Sequence, residues 1–271
     1  MSALELRDVR GPSALGGGWR RSLDLLLLIA INEFRRSYLG TALGYLWSIA
    51  RPLLLFAVLL TVFTQAFNLG DRVRHYPVLL LFSIVLFGFF QEATTQAVSS
   101  IVSQESVVRK TQFPRLVIPL AVVLTSAFNL GVNLVVVLAF LLAFGVTPMW
   151  TWLLFPLLLA VLFAFTTAVG TLLSALYPRF RDTAILWGVT VTALFYATPV
   201  LYPIDIVSGK LRDVISLNPL TPLFELARKW VVDPSAPAPD AWLVPVALFV
   251  VLCGLAAWVF RREAPRIAEE L

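Results

Sequence analysis

The sequence predicts an all-α integral membrane protein with six transmembrane helices. Of its 271 residues, 59% are apolar and 14% are charged, whereas soluble domains are about half apolar and about a quarter charged. The mean hydropathy is +0.86. So few polar side chains cannot cover the apolar surface of a soluble fold. Six apolar segments approach the roughly 20 residues that a membrane-spanning helix needs.

The first apolar run, residues 23–31, predicts a helix that lies on the membrane surface. Arg20 and Arg21 precede the run, and Asn32-Glu33-Phe34-Arg35-Arg36 follows it. The run lacks the small-residue cleavage site of a signal peptide, so we expect it to be retained. It is too short to span and is charged on both sides. These features favour an amphipathic interface helix within a cytoplasmic segment, residues 1–50.

Six longer runs form the predicted bundle, residues 51–260 of a single transmembrane domain that covers residues 1–271. They are residues 52–67, 78–102, 117–144, 152–177, 184–202 and 242–260. Lys and Arg number fifteen in the connections on the N-terminal side of the membrane and six on the other side. Basic connections stay in the cytoplasm, so we predict that both termini, including a tail at 261–271, are cytoplasmic.

The long outer connection, residues 203–241, contains helix-start signals. Asn218 and Thr221 each precede a proline, and Asn or Thr at the N-cap with Pro at the first helical position is typical of a helix N-terminus. Residues 223–230 then predict a short helix. Just before this connection, Pro199 removes a backbone hydrogen bond and is expected to kink or break the fifth span.

Polar residues interrupt two predicted spans. Glu92 lies in the second span, and an ionisable residue inside the membrane is a functional candidate. Its polar neighbours are Gln91, Thr94, Thr95 and Gln96. The alternative is that this stretch faces the bundle interior or a hydrated vestibule. Asn129 and Asn133 lie one turn apart in the third span and predict hydrogen bonds between helices.

The sequence contains no recognisable catalytic, metal or nucleotide site, so we expect neither an enzyme nor a bound cofactor. It has one Cys and one His, too few for a disulfide or a zinc site within one chain. Its net charge is +5, but the basic residues lie beside apolar spans and not along one soluble face, which argues against nucleic-acid binding. Uphill transport would need a partner ATPase at the cytoplasmic loops.

Aromatic residues make up 13% of the chain, and two groups of them offer faces suited to sugar rings. The first group, on one helical face of the first span, is Phe56, Phe63 and Phe67. The second group, near the outer end of the fifth span, is Phe195, Tyr196 and Tyr202. Aromatic rings combine broad apolar contact with a polar edge. Packing against lipid and the interfacial aromatic belt explain them equally well.

Five short motifs occur in the order and spacing of one family. They are Gly44-Tyr45-Leu46-Trp47 with Arg51-Pro52, Phe113-Pro114-Arg115 with Ile118-Pro119-Leu120, Tyr177-Pro178-Arg179-Phe180-Arg181-Asp182, Thr198-Pro199-Val200-Leu201-Tyr202-Pro203, and Asn218-Pro219-Leu220-Thr221-Pro222. Together they resemble the membrane subunit of ABC-2-type polysaccharide exporters, which include the O-antigen, teichoic-acid and mycobacterial galactan permeases. The resemblance covers nearly the whole chain.

The resemblance implies an assembly and a cargo. The permease is expected to be a homodimer of six-span chains in the cytoplasmic (inner) membrane, paired with two ABC ATPase subunits that bind ATP and Mg. The cargo is expected to be a lipid-linked glycan. Spans one and five are expected to line the channel, and helices between spans five and six to form the outer gate.

The resemblance also implies roles for individual residues. Contact with the ATPase is expected from the interface helix and from the basic loop between spans two and three. The coupling residues are Glu105, Arg109, Lys110, Phe113, Pro114, Arg115, Arg179, Arg181 and Asp182. The outer gate contains Pro199, Asn218, Pro219 and Pro222. The pyrophosphate of the carrier lipid is expected near Arg35, Arg36 and Arg51, which the positive-inside bias alone also explains.

Two other functions remain open from the sequence. One is an ABC-2 permease that exports a drug or a lipid, and the other is a non-transporting membrane scaffold. Glycosyltransferase genes beside an ATPase gene favour polysaccharide export. Copurification of an ATPase excludes the scaffold.

Changing both Arg109 and Lys110 to Glu is expected to lower transport-coupled ATP hydrolysis severalfold, because it reverses the charge of the predicted docking loop while leaving the bundle intact. The same reversal at Arg72 and Arg74, in an outer connection, is the control. Hydrolysis by the purified permease–ATPase complex is the measurement. Normal hydrolysis and export with the reversed loop would contradict the coupling assignment.

Overall fold

A computed structural model describes residues 19–38, 44, 46–104, 115–236, 238–239 and 242–263, and within these residues the fold is entirely helical. The α-helices are α1 (Trp19–Tyr38), α2 (Leu46–Gln65), α3 (Leu69–Arg72), α4 (Tyr76–Ser103), α5 (Val117–Ala143), α6 (Phe155–Leu176), α7 (Thr183–Ala197), α8 (Lys210–Ser216), α9 (Thr221–Ala227) and α10 (Leu243–Glu263). Two 3₁₀ turns cover Trp150–Leu154 and Ile204–Ile206, and a π-helical turn covers Arg228–Val232.

Five helices are long and apolar enough to cross a membrane, and they coincide with predicted spans one to four and six. They are α2, α4, α5, α6 with its leading 3₁₀ turn, and α10. The predicted fifth span corresponds to α7, which has 15 residues. At 1.5 Å per residue it is about 22 Å long, shorter than the roughly 30 Å of the hydrocarbon core. The all-α membrane fold is confirmed, and the count of six spans stays a prediction.

The predicted interruption at Pro199 is the end of α7 and not a kink within a longer helix. The helix ends at Ala197, and Thr198 is extended, with φ −104° and ψ 146°. This is the conformation that a following proline favours, because its ring clashes with a helical residue before it. The predicted span 184–202 is therefore about five residues too long at its outer end.

Helix α4 lies at the centre of the bundle and contacts α2, α5, α6 and α7. Every residue from Tyr76 to Phe90 is buried except Pro77 and Gly88, which are half-buried. A helix that is apolar on all sides is stable only when other elements surround it. The N-terminal half of α4 therefore forms the core on which the other helices pack.

A small-residue contact brings α4 and α6 close together. A Cβ added to Gly170 of α6 would lie 3.0 Å from the Cβ of Ala97 in α4. Small residues at a helix–helix interface let backbones approach closely, which replaces the hydrophobic driving force that is absent inside lipid.

Helix α1 packs on α5 through one face and leaves apolar side chains exposed on another. The Thr125 hydroxyl donates to the carbonyl of Ala30 at 3.2 Å, and the rings of Phe34 and Phe128 meet edge to face at 5.7 Å. The exposed apolar side chains of α1 are Leu23, Leu27, Leu28 and Ile31. This arrangement fits the predicted interface helix, which is longer than the apolar run that predicted it.

Gly170→Val is expected to destabilise the fold by about 1–3 kcal/mol, because overpacking forces the α4–α6 contact apart. Gly254→Val, in α10, is the matched control, since no atom lies within 4 Å of an added Cβ there. The midpoint temperature of each detergent-solubilised variant, followed by gel filtration after heating, measures the difference. Equal midpoints for the two variants would contradict the close approach.

Candidate functional site

A polar cleft of about 600 Å³ lies between α2, α4 and α5. Polar side chains on one face of α4 line the cleft. They form two pairs four residues apart, and side chains at this spacing lie one above the other on a helix. These side chains are Gln91, Glu92, Thr95 and Gln96. The facing helix α5 contributes Ser126, Asn129 and Asn133. Trp47, Ser48 and Arg51 of α2 complete the polar wall, and Phe195 of α7 also lines the cleft.

Glu92 is the centre of the hydrogen bonds in the cleft. Its Oε1 accepts from Nδ2 of Asn129 at 2.8 Å and from Nε2 of Gln96 at 3.3 Å. Arg51 lies within electrostatic range of the same carboxyl group. The carboxyl group thus joins two helices and faces a basic side chain on a third.

The two asparagines that were predicted to bond between helices make different hydrogen bonds. Asn129 bonds across to α4, as predicted. The Nδ2 of Asn133 instead donates to the backbone carbonyl of Asn129, within its own helix, at 2.9 Å. Glu92 lines a cleft inside the bundle, as expected for the alternative in which this polar stretch faces the bundle interior.

The cleft contains a buried hydroxyl that the sequence did not single out. Ser126 is 1% exposed, and its hydroxyl has no hydrogen-bond partner among the described residues. Buried hydroxyls on a helix usually bond to a preceding carbonyl, as that of Thr125 does to Ala121. The spacing of Ser126, Asn129 and Asn133, three and then four residues, could have indicated one polar helix face.

The two predicted aromatic groups contact different helices. Phe56 is buried and meets Phe140 of α5 edge to face at 5.7 Å, while Phe63 and Phe67 stack on each other at 5.2 Å. In the second group, Phe195 meets Phe87 of α4 at 5.2 Å, and the Tyr202 hydroxyl donates to the carbonyl of Tyr196. Phe67 and Tyr196 are exposed. Their role in a channel stays a prediction.

The basic residues predicted at the inner face are mostly exposed. Arg35 and Arg36 are exposed in the last turn of α1, and Arg51 is exposed at the cleft. In the turn before α7, the guanidinium of Arg179 lies over the ring of Phe180 at 5.4 Å, and that of Arg181 lies over Tyr177 at 5.1 Å.

The remaining coupling residues divide between described and undescribed parts of the chain. Asp182 is exposed immediately before α7, and Arg115 is half-buried before α5. Glu105, Arg109, Lys110, Phe113 and Pro114 lie outside the described residues.

The predicted outer connection, residues 203–241, is called the outer segment below. One side chain, that of Asn218, joins it to the end of α7. The Nδ2 of Asn218 donates to the hydroxyl of Thr198 at 2.8 Å, and its Oδ1 accepts from the N–H of Leu220 at 3.0 Å. Asn218 therefore closes an Asx turn at Pro219. It does not cap α9, whose N-cap is Leu220 with no side-chain hydrogen bond, so the prediction of Asn218 as a helix N-cap is wrong. The prediction of Thr221 as an N-cap is wrong, because Thr221 is already helical and its hydroxyl donates to the carbonyl of Ile215.

The predicted short helix in the outer segment is confirmed. It comprises α9, with Pro222 in its first turn, and the π-helical turn that follows. The turn ends at Val232.

A partly buried ionic group within the outer segment was not predicted from the sequence. Arg228 forms an ion pair with Asp205 at 2.9 Å, and its guanidinium is 3.7 Å from Oε2 of Glu225. The N–H of Ile204 donates to Oε1 of Glu225. Burial raises the pKa of Glu225 to about 7, although the Ile204 hydrogen bond and Arg228 favour its charged form.

Residues 24–231, more than half of the chain, match the family model described as ABC-2 type transporter. The chain belongs to this family. The matched range includes the whole cleft and the outer segment up to the π-helical turn. This ABC-2 chain is therefore a multi-pass membrane protein of a non-enzymatic family, and membership implies partnership with an ABC ATPase subunit.

Curated relatives of this ABC-2 chain cover most of its length. A protein named O-antigen export system permease protein RfbA, from Klebsiella pneumoniae, is 31% identical over 198 residues, 73% of this chain and 76% of the relative. A protein of the same name from Myxococcus xanthus is 26% identical over 249 residues, 91% of this chain and 95% of the relative.

The outer segment of this ABC-2 chain is expected to lose stability as the pH rises from 5 to 8. The pKa of Glu225 is about 7 in the fold, above its ordinary value of 4.5, so its contribution is complete below about 4.5 and is lost as the pH rises through 7. The shift corresponds to roughly 3 kcal/mol. Thermal midpoints of the purified protein across this range measure it.

Glu225→Gln is expected to flatten that pH profile, because the amide keeps an acceptor for the Ile204 N–H and does not titrate. Asp213→Asn, an exposed position of α8, is the matched control and should retain the wild-type slope. An unchanged slope in Glu225→Gln would assign the pH dependence to other groups.

Proposed function

We propose that this chain is the membrane permease subunit of an ABC exporter that moves a lipid-linked polysaccharide, of the O-antigen, teichoic-acid or galactan type, across the cytoplasmic membrane. The observation that carries the proposal is the match to relatives named O-antigen export permeases, which reaches 91% of this chain. The match includes the cleft and the outer segment, so it covers the parts that a cargo would meet.

The energy for export comes from a separate ATPase, in which ATP and Mg bind. The functional unit is a homodimer of this chain with two ATPase subunits, and both termini lie in the cytoplasm. The docking surface combines the loop at 105–115 with the turn at 177–182. Two cation–π contacts in that turn support the proposal, because they hold its aromatic and basic side chains in defined positions.

The basic residues at the inner face receive the pyrophosphate of the carrier lipid. Arg35 and Arg36 end the interface helix and are exposed, which leaves their guanidinium groups open to an anionic headgroup. Arg51 lies where the first long helix meets the polar cleft. A guanidinium offers paired N–H donors that match phosphate oxygens.

The channel of the homodimer is lined by the first long helix and α7, and the outer segment gates it. Both helices leave most of their surface uncovered within one chain, and the exposed rings of Phe67 and Tyr196 belong to these regions. Asn218 joins Thr198, next to Pro199, to the turn that begins at Pro219. A movement of α7 is thereby transmitted directly to the gate.

Depletion of this protein from its host is expected to stop export and to accumulate lipid-linked glycan inside the cell. Mass analysis of the extracted carrier lipids measures the accumulation, and re-expression of the wild-type chain should reverse it. Accumulation of a free lipid or a drug-like compound, with normal surface glycan, would favour the alternative of a drug or lipid exporter and overturn the proposal.

A further inference from the structure

The polar face of α4 lies in the middle of a membrane-spanning helix, where lipid offers no hydrogen-bond partners. Gln91, Thr95 and Gln96 are exposed within a single chain. Polar side chains at this depth are tolerated where they line protein or a water-filled cavity. The cleft volume of about 600 Å³ falls within the roughly 300–1,000 Å³ of small-molecule sites.

Two groups in the cleft retain hydrogen-bonding capacity. The hydroxyl of Ser126 is buried without a partner among the described residues, an arrangement that natural proteins rarely leave unsatisfied. Both amides that reach Glu92 donate to the same oxygen, Oε1. Because a carboxylate has about four acceptor positions on two oxygens, Oε2 remains able to accept a hydroxyl.

The charge of the cleft discriminates between classes of ligand. Arg51 and Glu92 are the charged side chains among its lining residues, and they offset each other. A cleft whose formal charges cancel exerts little net attraction on an organic cation or on an anion. The walls include aromatic residues from three helices, namely Trp47, Phe89 and Phe195, which offer apolar faces to the C–H groups of a sugar ring.

We propose that this cleft recognises a neutral glycan segment of the cargo, an inference that rests on the proposed export function. Hydroxyls of the sugar donate to Glu92, and the hydroxyl of Ser126 and the amides of Gln91 and Gln96 supply further donors. The cleft is thus a sugar-binding site centred on α4 and α5. It shares Phe195 with the predicted channel aromatics and Arg51 with the predicted basic residues of the inner face.

Site-specific photo-crosslinking in living cells tests this assignment. A benzophenone amino acid at Thr95, which is exposed in the cleft, is expected to capture an adduct that labels after periodate oxidation and exceeds the mass of a single phospholipid. The same probe at Leu255, an exposed apolar position of α10, is the control and should capture phospholipid alone. Capture of phospholipid alone at Thr95, or no capture, would overturn the proposal.

Capture at Thr95 is expected to fall severalfold in Ser126→Ala and in Glu92→Gln. Ser174→Ala is the matched control, because that buried hydroxyl bonds within its own helix, to Thr171, and lies outside the cleft. Gel filtration and copurification of the ATPase verify that each variant is folded. Equal capture in all three variants would also overturn the assignment, since the adduct would not depend on the cleft groups.

The outcome separates this inference from the proposed function. If depletion stops glycan export but Thr95 captures no glycan, the cleft proposal fails and the export function stands. If depletion leaves glycan export intact, the proposal of an export function is wrong, and so is the assignment of a glycan as the ligand of the cleft.

Discussion

The burial of α4 is the constraint on which the rest of the bundle depends. Its N-terminal half is apolar on every side, so it is stable only inside a ring of other helices. Four helices supply that ring. In the other half of α4, Gly170 of α6 lets the two helices approach closely at Ala97. Inside lipid, burying apolar surface gains little, so close packing and hydrogen bonds hold such helices together.

The C-terminal half of the same helix carries polar side chains, and these need hydrogen-bond partners inside the bundle. Thr94 is fully buried and accepts the indole N–H of Trp187 in α7 at 3.1 Å, while Glu92 accepts the amide of Asn129 in α5. Hydrogen bonds between membrane helices contribute on average about 0.6 kcal/mol each. They select which faces of α5 and α7 meet α4, and they leave the polar cleft beside the buried core.

Helix α7 connects the two ends of the molecule through a narrow contact. Trp187 and Phe195 meet α4 through ring contacts, and Val191 between them is the one fully buried residue of the helix. These three residues recur every fourth position, so a single stripe holds α7. Its inner end begins beside the turn at 177–182, and its outer end is tied to the outer segment through Thr198 and Asn218.

Hydropathy by itself determined the membrane class, the positions of five long helices and the interface helix, because length and composition decide whether a segment can cross a bilayer. Local turn chemistry also predicted the short helix that follows Asn218, although not its cap, since turn signals act between residues close in sequence. Only the tertiary structure decided which polar groups meet. Three contacts depend on the rotation of one element against another. They are the pairing of Glu92 with Asn129, the burial of the Ser126 hydroxyl with no partner in the described part of the chain, and the ion pair of Arg228 with Asp205. A one-dimensional pattern does not encode that rotation. It is set by the packing of side chains around α4.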